Sequence, residues 1–256
     1  MNGAPPLRTE VSHGVWYVTL DRPAQGNACS SDLVRALDET LAQAEADAAA
    51  AFVLQGEGRH FCTGFDLSRL DDETDDTLLA RFVRIELLLQ RIANAPFLTV
   101  ACAHGRTMGA GADLFAACGL RLAHADTSFA FPGARGFGLV LGTRRLAARV
   151  GTGTALAWVE IGCNVTAPEA LRHGLVTAIA DGPQAIGAMV AARRGEDCTV
   201  AAALREAVAV HRAAEDARDL ECLVRSAARP GLRARILAYV ERVAAARPPT
   251  AGEARR

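Results

Sequence analysis

Two stretches of this chain place small residues where a β-type run gives way to a helical pattern. The first is Gly58-Arg59-His60-Phe61-Cys62-Thr63-Gly64-Phe65-Asp66-Leu67, and the second is His104-Gly105-Arg106-Thr107-Met108-Gly109-Ala110-Gly111-Ala112-Asp113-Leu114. The first N–H groups of a helix have no intrahelical acceptor, and the helix dipole helps them hold an anion. Two such N–H groups converging on one carbonyl oxygen would make an oxyanion hole, in which a single donor is worth about 3 kcal/mol.

Proton-transfer groups can be sought nearby. Asp113 lies just inside the second helix start, where the dipole predicts an ionised carboxylate, acting either in catalysis or as an N-terminal charge. Glu86 interrupts the apolar run from Ile85 to Leu89 and is a candidate pocket carboxylate, with a solvated helix-face charge as the simpler reading. Glu160, between Val159 and Ile161, poses the same choice. His104, Arg106 and Arg135 could touch a substrate carboxylate or be structural. Cys62 adjoins the first turn without an assured histidine base, so covalent thiol chemistry is not predicted.

The elements that must position these groups follow from periodicity. Strands are predicted at 14–20, 51–55, 98–103, 119–123 and 128–131. Helices are predicted at 30–47, with Ser30 or Ser31 as N-cap, at 78–93 and at about 110–118. Residues 71–76 are almost all acidic and predict a solvated helix start or loop. Beyond residue 143 the pattern is helical, at 143–161, 167–173, 184–213, 215–227 and 230–246. Strands alternating with helices, followed by helices alone, predict an α/β core with a helical C-terminal region.

Composition narrows the function. The 256 residues are 50% hydrophobic, enough for one sizeable core, and the net charge of -1 argues against a nucleic-acid binder. All 28 basic residues other than histidine are arginine, which excludes a Schiff-base lysine and leaves phosphate binding to Arg or backbone N–H groups. Seven cysteines without ligand spacing predict reduced thiols and no metal site. With no apolar leader and no 18-residue apolar run, a cytoplasmic protein without membrane contact is expected.

Taken together, the turns resemble a known family. Residues 56–67 fit the pattern G-x-G-x-x-F-x-x-G-x-D-[LI] of the enoyl-CoA hydratase/isomerase (crotonase) superfamily, and 104–114 are similar to its N-G-x-x-x-G-G-G-x-E-L segment. Asp21-Arg22-Pro23 with Asn27-Ala28, and Thr166-Ala167 through Gly174-Leu175-Val176, resemble two further family segments. The likeness runs from about residue 10 to 182. It implies a spiral of ββα units over residues 1–190, then a helical region at 191–256 that serves oligomerisation and covers the active site. It implies an acyl-CoA thioester as substrate, no separate cofactor, and a homotrimer or dimer of trimers. It assigns the two oxyanion N–H groups to Phe65 and Ala110. Arg22 and Ala24, with Gly64, Asp66, Leu67 and Gly109, would lie along the substrate and its CoA portion.

The departures from the family concern the chemistry. Hydratases of the family use two glutamates, whereas this chain has Asp113 at the first position and Gly133 at the second. Aspartate is one methylene shorter, and glycine transfers no proton. Single-base, isomerase-like chemistry is therefore expected over standard two-carboxylate hydration, with Asp113 and Glu86 as the candidate bases. Thioester hydrolysis or decarboxylation on the same fold, or a catalytically silent acyl-CoA binder, are the alternatives. An unrelated serine hydrolase is disfavoured because no G-x-S-x-G elbow occurs.

Overall fold

A computed structural model of the chain describes residues 5–180, 183–194, 200, 203, 207 and 212–246. The strands are β1 (Leu7–Ser12), β2 (Val15–Leu20), β3 (Ala51–Gly56), β4 (Leu98–Ala103), β5 (Arg106–Met108), β6 (Leu120–Ala123), β7 (Ser128–Ala130), β8 (Val165–Thr166) and β9 (Ala178–Ile179). The helices are α1 (Ser31–Ala46), α2 (Asp75–Asn94), α3 (Ala110–Ala117), α4 (Gly133–Phe137), α5 (Thr143–Val150), α6 (Thr152–Ile161), α7 (Ala167–Arg172), α8 (Pro183–Arg194), α9 (Arg212–Ala227) and α10 (Leu232–Ala245).

One sheet runs in the order β1-β2-β3-β4-β6-β9, parallel except for the β1–β2 pair, and a second runs β5-β7-β8. All six residues of β4 and the first four of β3 are buried, so these strands read as unbroken apolar runs, as interior parallel strands do. The edge strand β1 shows Arg8, Thr9 and Glu10 to solvent. It therefore carries no apolar alternation, and the sequence pattern gave no strand there.

The chain spirals between the sheets. After β4 it enters β5 and then α3, and after β6 it enters β7 and then α4. The two earlier turns of the spiral place single residues in the second ladder: Cys29 pairs in parallel with Phe65, and Cys62 with Thr107. The expected ββα spiral is thus present.

Helix starts follow local chemistry. Ser30 caps α1, its Oγ accepting from the Leu33 N–H at 3.1 Å, and Leu33, Leu37 and Leu41 line the buried face. Thr74 and Thr77 form a reciprocal cap on α2. The acidic run before α2 is indeed a helix start, but it also binds the far end of the chain. The Asp75 carboxylate accepts from the Gly231 and Arg233 N–H groups, both at 2.8 Å, and so caps α10. The single helical segment expected at 143–161 is two helices, because Gly151 at φ +81° ends α5 and starts α6. Of the helix expected at 184–213, α8 accounts for the first part, and most of 195–211, including Cys198, lies outside the described residues.

The C-terminal helices share the main core. α9 and α10 pack on α2, and α10 also on α4. Leu223, Leu232 and Ile236 are fully buried in the same apolar cluster as Phe82 and Leu139. Ile236→Ala should therefore lower unfolding free energy by about 2–5 kcal/mol, the range for a core isoleucine or leucine cut to alanine. Urea titration checks this, and a loss below about 1 kcal/mol would mean that α10 is not part of the cooperative core.

Candidate active site

The two glycine turns meet. The Met108 N–H donates to Cys62 O at 3.0 Å, and the Cys29 N–H donates to Gly64 O at 2.7 Å, so the first turn is held on both sides. A Cβ at Gly64, which has φ +100°, would lie 2.8 Å from Met108 O and 3.6 Å from Ala110 N. At Gly111 a Cβ would overlap Cys62 O. Only glycine allows these backbones to approach so closely.

A cavity of about 100 Å³ opens where the turns meet. Gly64, Phe65, Leu67, Gly109, Ala110 and Asp113 all line it. Among the described residues, no backbone acceptor takes the Phe65 or Ala110 N–H, and Ala110 is the first residue of α3. The Phe65 ring is clamped: it stacks on Phe82 at 4.3 Å between centroids, and the Arg81 guanidinium carbon sits 4.1 Å over its ring centroid. Arg81 also donates to Asp66 O at 3.1 Å and pairs with Glu73 at 2.6 Å. The first turn is thereby fixed from the α2 side.

Asp113 is the one carboxylate among the residues lining the cavity. It is 5% exposed, and among the described residues no donor hydrogen-bonds its carboxylate. Gly142, at φ +66°, lies so close that a Cβ there would overlap the Asp113 carboxyl. Burial pushes the Asp113 carboxyl well above the usual carboxylate range; the positive charge of Arg145 opposes this, and Glu86 adds to it. This corrects the expectation from the helix dipole. Arg145 cannot neutralise Asp113 because it is committed elsewhere, to Glu86 and, at 3.0 Å, to Asp219.

Glu86 is buried, as a pocket carboxylate would be, but it is not on the cavity wall. It accepts from Arg145 and, at 2.9 Å, from the Gln90 amide, and it is 1% exposed. Glu86 thus pairs with the same Arg145 whose positive charge acts on Asp113. The Nε of Arg145 is itself buried without an acceptor among the described residues.

The upstream loop packs on the first turn. Asn27, fully buried, donates to Glu57 O at 2.9 Å and His60 O at 2.7 Å, and accepts from the Arg22 N–H at 2.8 Å. Arg22 pairs with Asp66 at 2.8 Å. Burial would raise the Asp66 carboxyl, but hydrogen bonds from Ser68 and the Arg22 guanidinium together hold it below its usual range. Arg22, Ala24 and Asp66 do not line the cavity; Ala24 is exposed beside it, in the 3-10 turn Pro23–Gln25.

The other candidates are placed away from the cavity. Glu160 is exposed on α6. His104 Nε2 lies 2.9 Å from Gly58 O, the Arg106 N–H donates to His60 Nδ1, and Arg135 donates to Ile161 O. Cys62 is fully buried with its Sγ 3.7 Å from that of Cys29. Sequence reasoning did not single out Arg81, Arg145 or Tyr239, since their roles depend on helices that meet only in the folded chain. Among the described residues, no three His, Cys, Asp or Glu side chains gather as a metal site would require, and no helix is long and apolar enough to cross a membrane.

This spiral, with two small-residue turns facing one cavity, is the crotonase architecture. Residues 10–214 match the family described as enoyl-CoA hydratase/isomerase, and the chain belongs to it. A Bacillus subtilis protein named probable enoyl-CoA hydratase is 34% identical over 174 residues, covering 65% of this chain and 66% of the relative. A short-chain-enoyl-CoA hydratase of Clostridium acetobutylicum is 31% identical over 183 residues, covering 65% of this chain and 66% of that one. The chain thus matches about two thirds of these relatives' length. Among solved structures, a Bordetella parapertussis protein of the enoyl-CoA hydratase/isomerase type superposes with a TM-score of 0.88 at 40% identity, over 96% of this chain and all of that one. Enoyl-CoA hydratase from Bacillus halodurans shares the fold, with a TM-score of 0.80 at 22% identity over 91% and 99% of the two chains.

The ionisation of Asp113 has a consequence for stability. Its folded pKa is raised, so between the ordinary carboxylate value and the raised one the native state holds a proton that the unfolded chain has lost. Stability therefore falls as pH rises through that window, and the deficit is complete above the folded pKa. Asp113→Asn removes the deficit. The variant should melt higher than the parent at neutral pH, by roughly 2–4 °C per kcal/mol recovered, and the two curves should converge near pH 4. Calorimetry across pH 4–8 checks this. A variant less stable than the parent at pH 7 would contradict the assigned burial.

Proposed function

We propose that this chain is an acyl-CoA enzyme that stabilises a thioester enolate and moves a proton with one carboxyl group. The observation that carries this reading is the cavity itself: among the described residues, it is lined by Phe65 and Ala110, whose N–H groups have no backbone acceptor, and by one carboxylate, Asp113. The thioester carbonyl oxygen would accept from the Phe65 and Ala110 N–H groups, with the N-terminus of α3 behind the second. Ionised Asp113 would take a proton from the α- or γ-carbon, and the electron pair left behind would be delocalised onto that oxygen. Delivered by Asp113 to the other end of the delocalised system after exchange with solvent, a proton would shift the double bond with no net change of atoms.

Two-carboxylate hydration is disfavoured because Gly133 lines the cavity where a second acid is needed and has no side chain. Glu86 acts through Arg145 in this reading: its charge holds the arginine's field away from Asp113. The Arg22–Asp66 pair and the Ala24 loop support a path for the CoA portion beside the first turn. Self-assembly into trimers is supported by the exposed apolar residues Leu156 and Leu171. A cytoplasmic site is supported by the six free cysteines among the described residues.

The test follows deuterium uptake at carbon from heavy water into a panel of saturated and unsaturated acyl-CoA thioesters by mass spectrometry. Exchange by the parent should rise with pH through an apparent pKa above the ordinary carboxylate range, because the ionised form is the base. Asp113→Asn should lower it at least 100-fold. Glu86→Gln should still exchange, with its profile displaced to lower pH, since Arg145 is then freer to stabilise ionised Asp113. Abolished exchange in the Glu86 variant alone would instead make Glu86 the base. If thioesters bind and none exchanges deuterium, shifts its double bond or is cleaved, the chain is a binder and not a catalyst.

A further inference from the structure

Beside the cavity lies a second concavity, and Tyr239 lines both. The cavity at the two turns holds about 100 Å³. That is small beside the concavity that adjoins it. An open groove of about 410 Å³ adjoins it, and the two share Pro132 and Tyr239 as walls. The groove's other lining residues include Ile161 and Val243, which are 56% and 40% exposed. Arg135 and Arg242 line the groove as well, so it offers an apolar strip with a basic rim.

Tyr239 projects from α10 onto the short helix α4. Its ring meets Phe137 edge to face at 5.5 Å between centroids. A Cβ at Gly136 would lie 2.8 Å from the Tyr239 Cδ2, so only glycine there lets the ring seat as it does. Arg242, one turn further along α10, donates to Gly136 O at 2.8 Å and fixes the two helices against each other. The ring is held by apolar contacts alone: among the described residues no hydrogen bond engages the hydroxyl.

Resting on the acyl-thioester reading, we propose that Tyr239 is the stopper that sets acyl-chain length. Its ring closes the end of the cavity against a long acyl chain, and the Ile161–Val243 groove is the path such a chain takes when the ring is absent.

Calorimetric titration with S-butyl-, S-octyl- and S-dodecyl-CoA, thioethers that cannot react, tests this. The parent should bind the butyl compound at least 10-fold tighter than the dodecyl one. In Tyr239→Ala that ratio should fall at least 10-fold, with Tyr239→Leu as the substitute if the alanine variant does not fold. Tyr239→Phe, which keeps the ring, should keep the parent's order. Adding Val243→Trp to Tyr239→Ala refills the groove and should restore much of the preference for the short chain. An unchanged butyl-to-dodecyl ratio in the folded alanine or leucine variant overturns the proposal, as does a parent that binds all three lengths equally. A parent that binds none of the thioethers overturns the acyl-CoA reading itself, and the stopper with it.

Discussion

The site depends on a backbone-to-backbone contact between the two glycine turns. With the Cys62–Thr107 bridge as its hinge, the second sheet brings Gly64 against Met108 and Gly111 against Cys62 so closely that a methyl group at either glycine would meet backbone. An ordinary packed contact between side chains could shift by several tenths of an ångström. This one cannot, because its partners are the rigid peptide groups of two ladders. The relative placement of the Phe65 and Ala110 N–H groups is therefore set by main-chain sterics, and the surrounding side chains only tune it.

What surrounds the contact is electrostatic layering. On the cavity wall is Asp113, an acid with no hydrogen-bond donor among the described residues; near it in charge is Arg145, which pairs with carboxylates on α2 and α9. Arg144 extends the layer outward to Asp219 and Glu215, at 2.8 Å each. The members of this network range from Glu86, at 1% exposed, to Glu215, at 45%. In this arrangement Asp113 stays poorly paired while Glu86 and Asp219 share the arginine charge behind it.

Much of this was legible in the residues. The glycine turns announced themselves by type and order, Ser30 by its place before a leucine periodicity, and β4 by its unbroken apolar run. The ionisation of Asp113 was misjudged because a helix dipole contributes only about 0.3–1 kcal/mol at a surface, whereas burying an ion costs several. Burial is a property of the whole fold and leaves no local mark. The same limit hid Arg145 and Tyr239, which meet the site from helices far along the chain. β1 was missed for the opposite reason: it is a real strand whose side chains nearly all face water.

The Asp75 cap on α10 joins residues 156 positions apart. At synthesis rates of 5–20 residues per second, about 8–30 s separate the emergence of the acceptor from that of its donors. For much of that interval the nascent chain carries Phe82, and later Leu139, without the C-terminal helices that cover them in the fold. Among the described helices, the one made last is thus one that shields the apolar core, so that core stays open to misplaced contacts until late in synthesis.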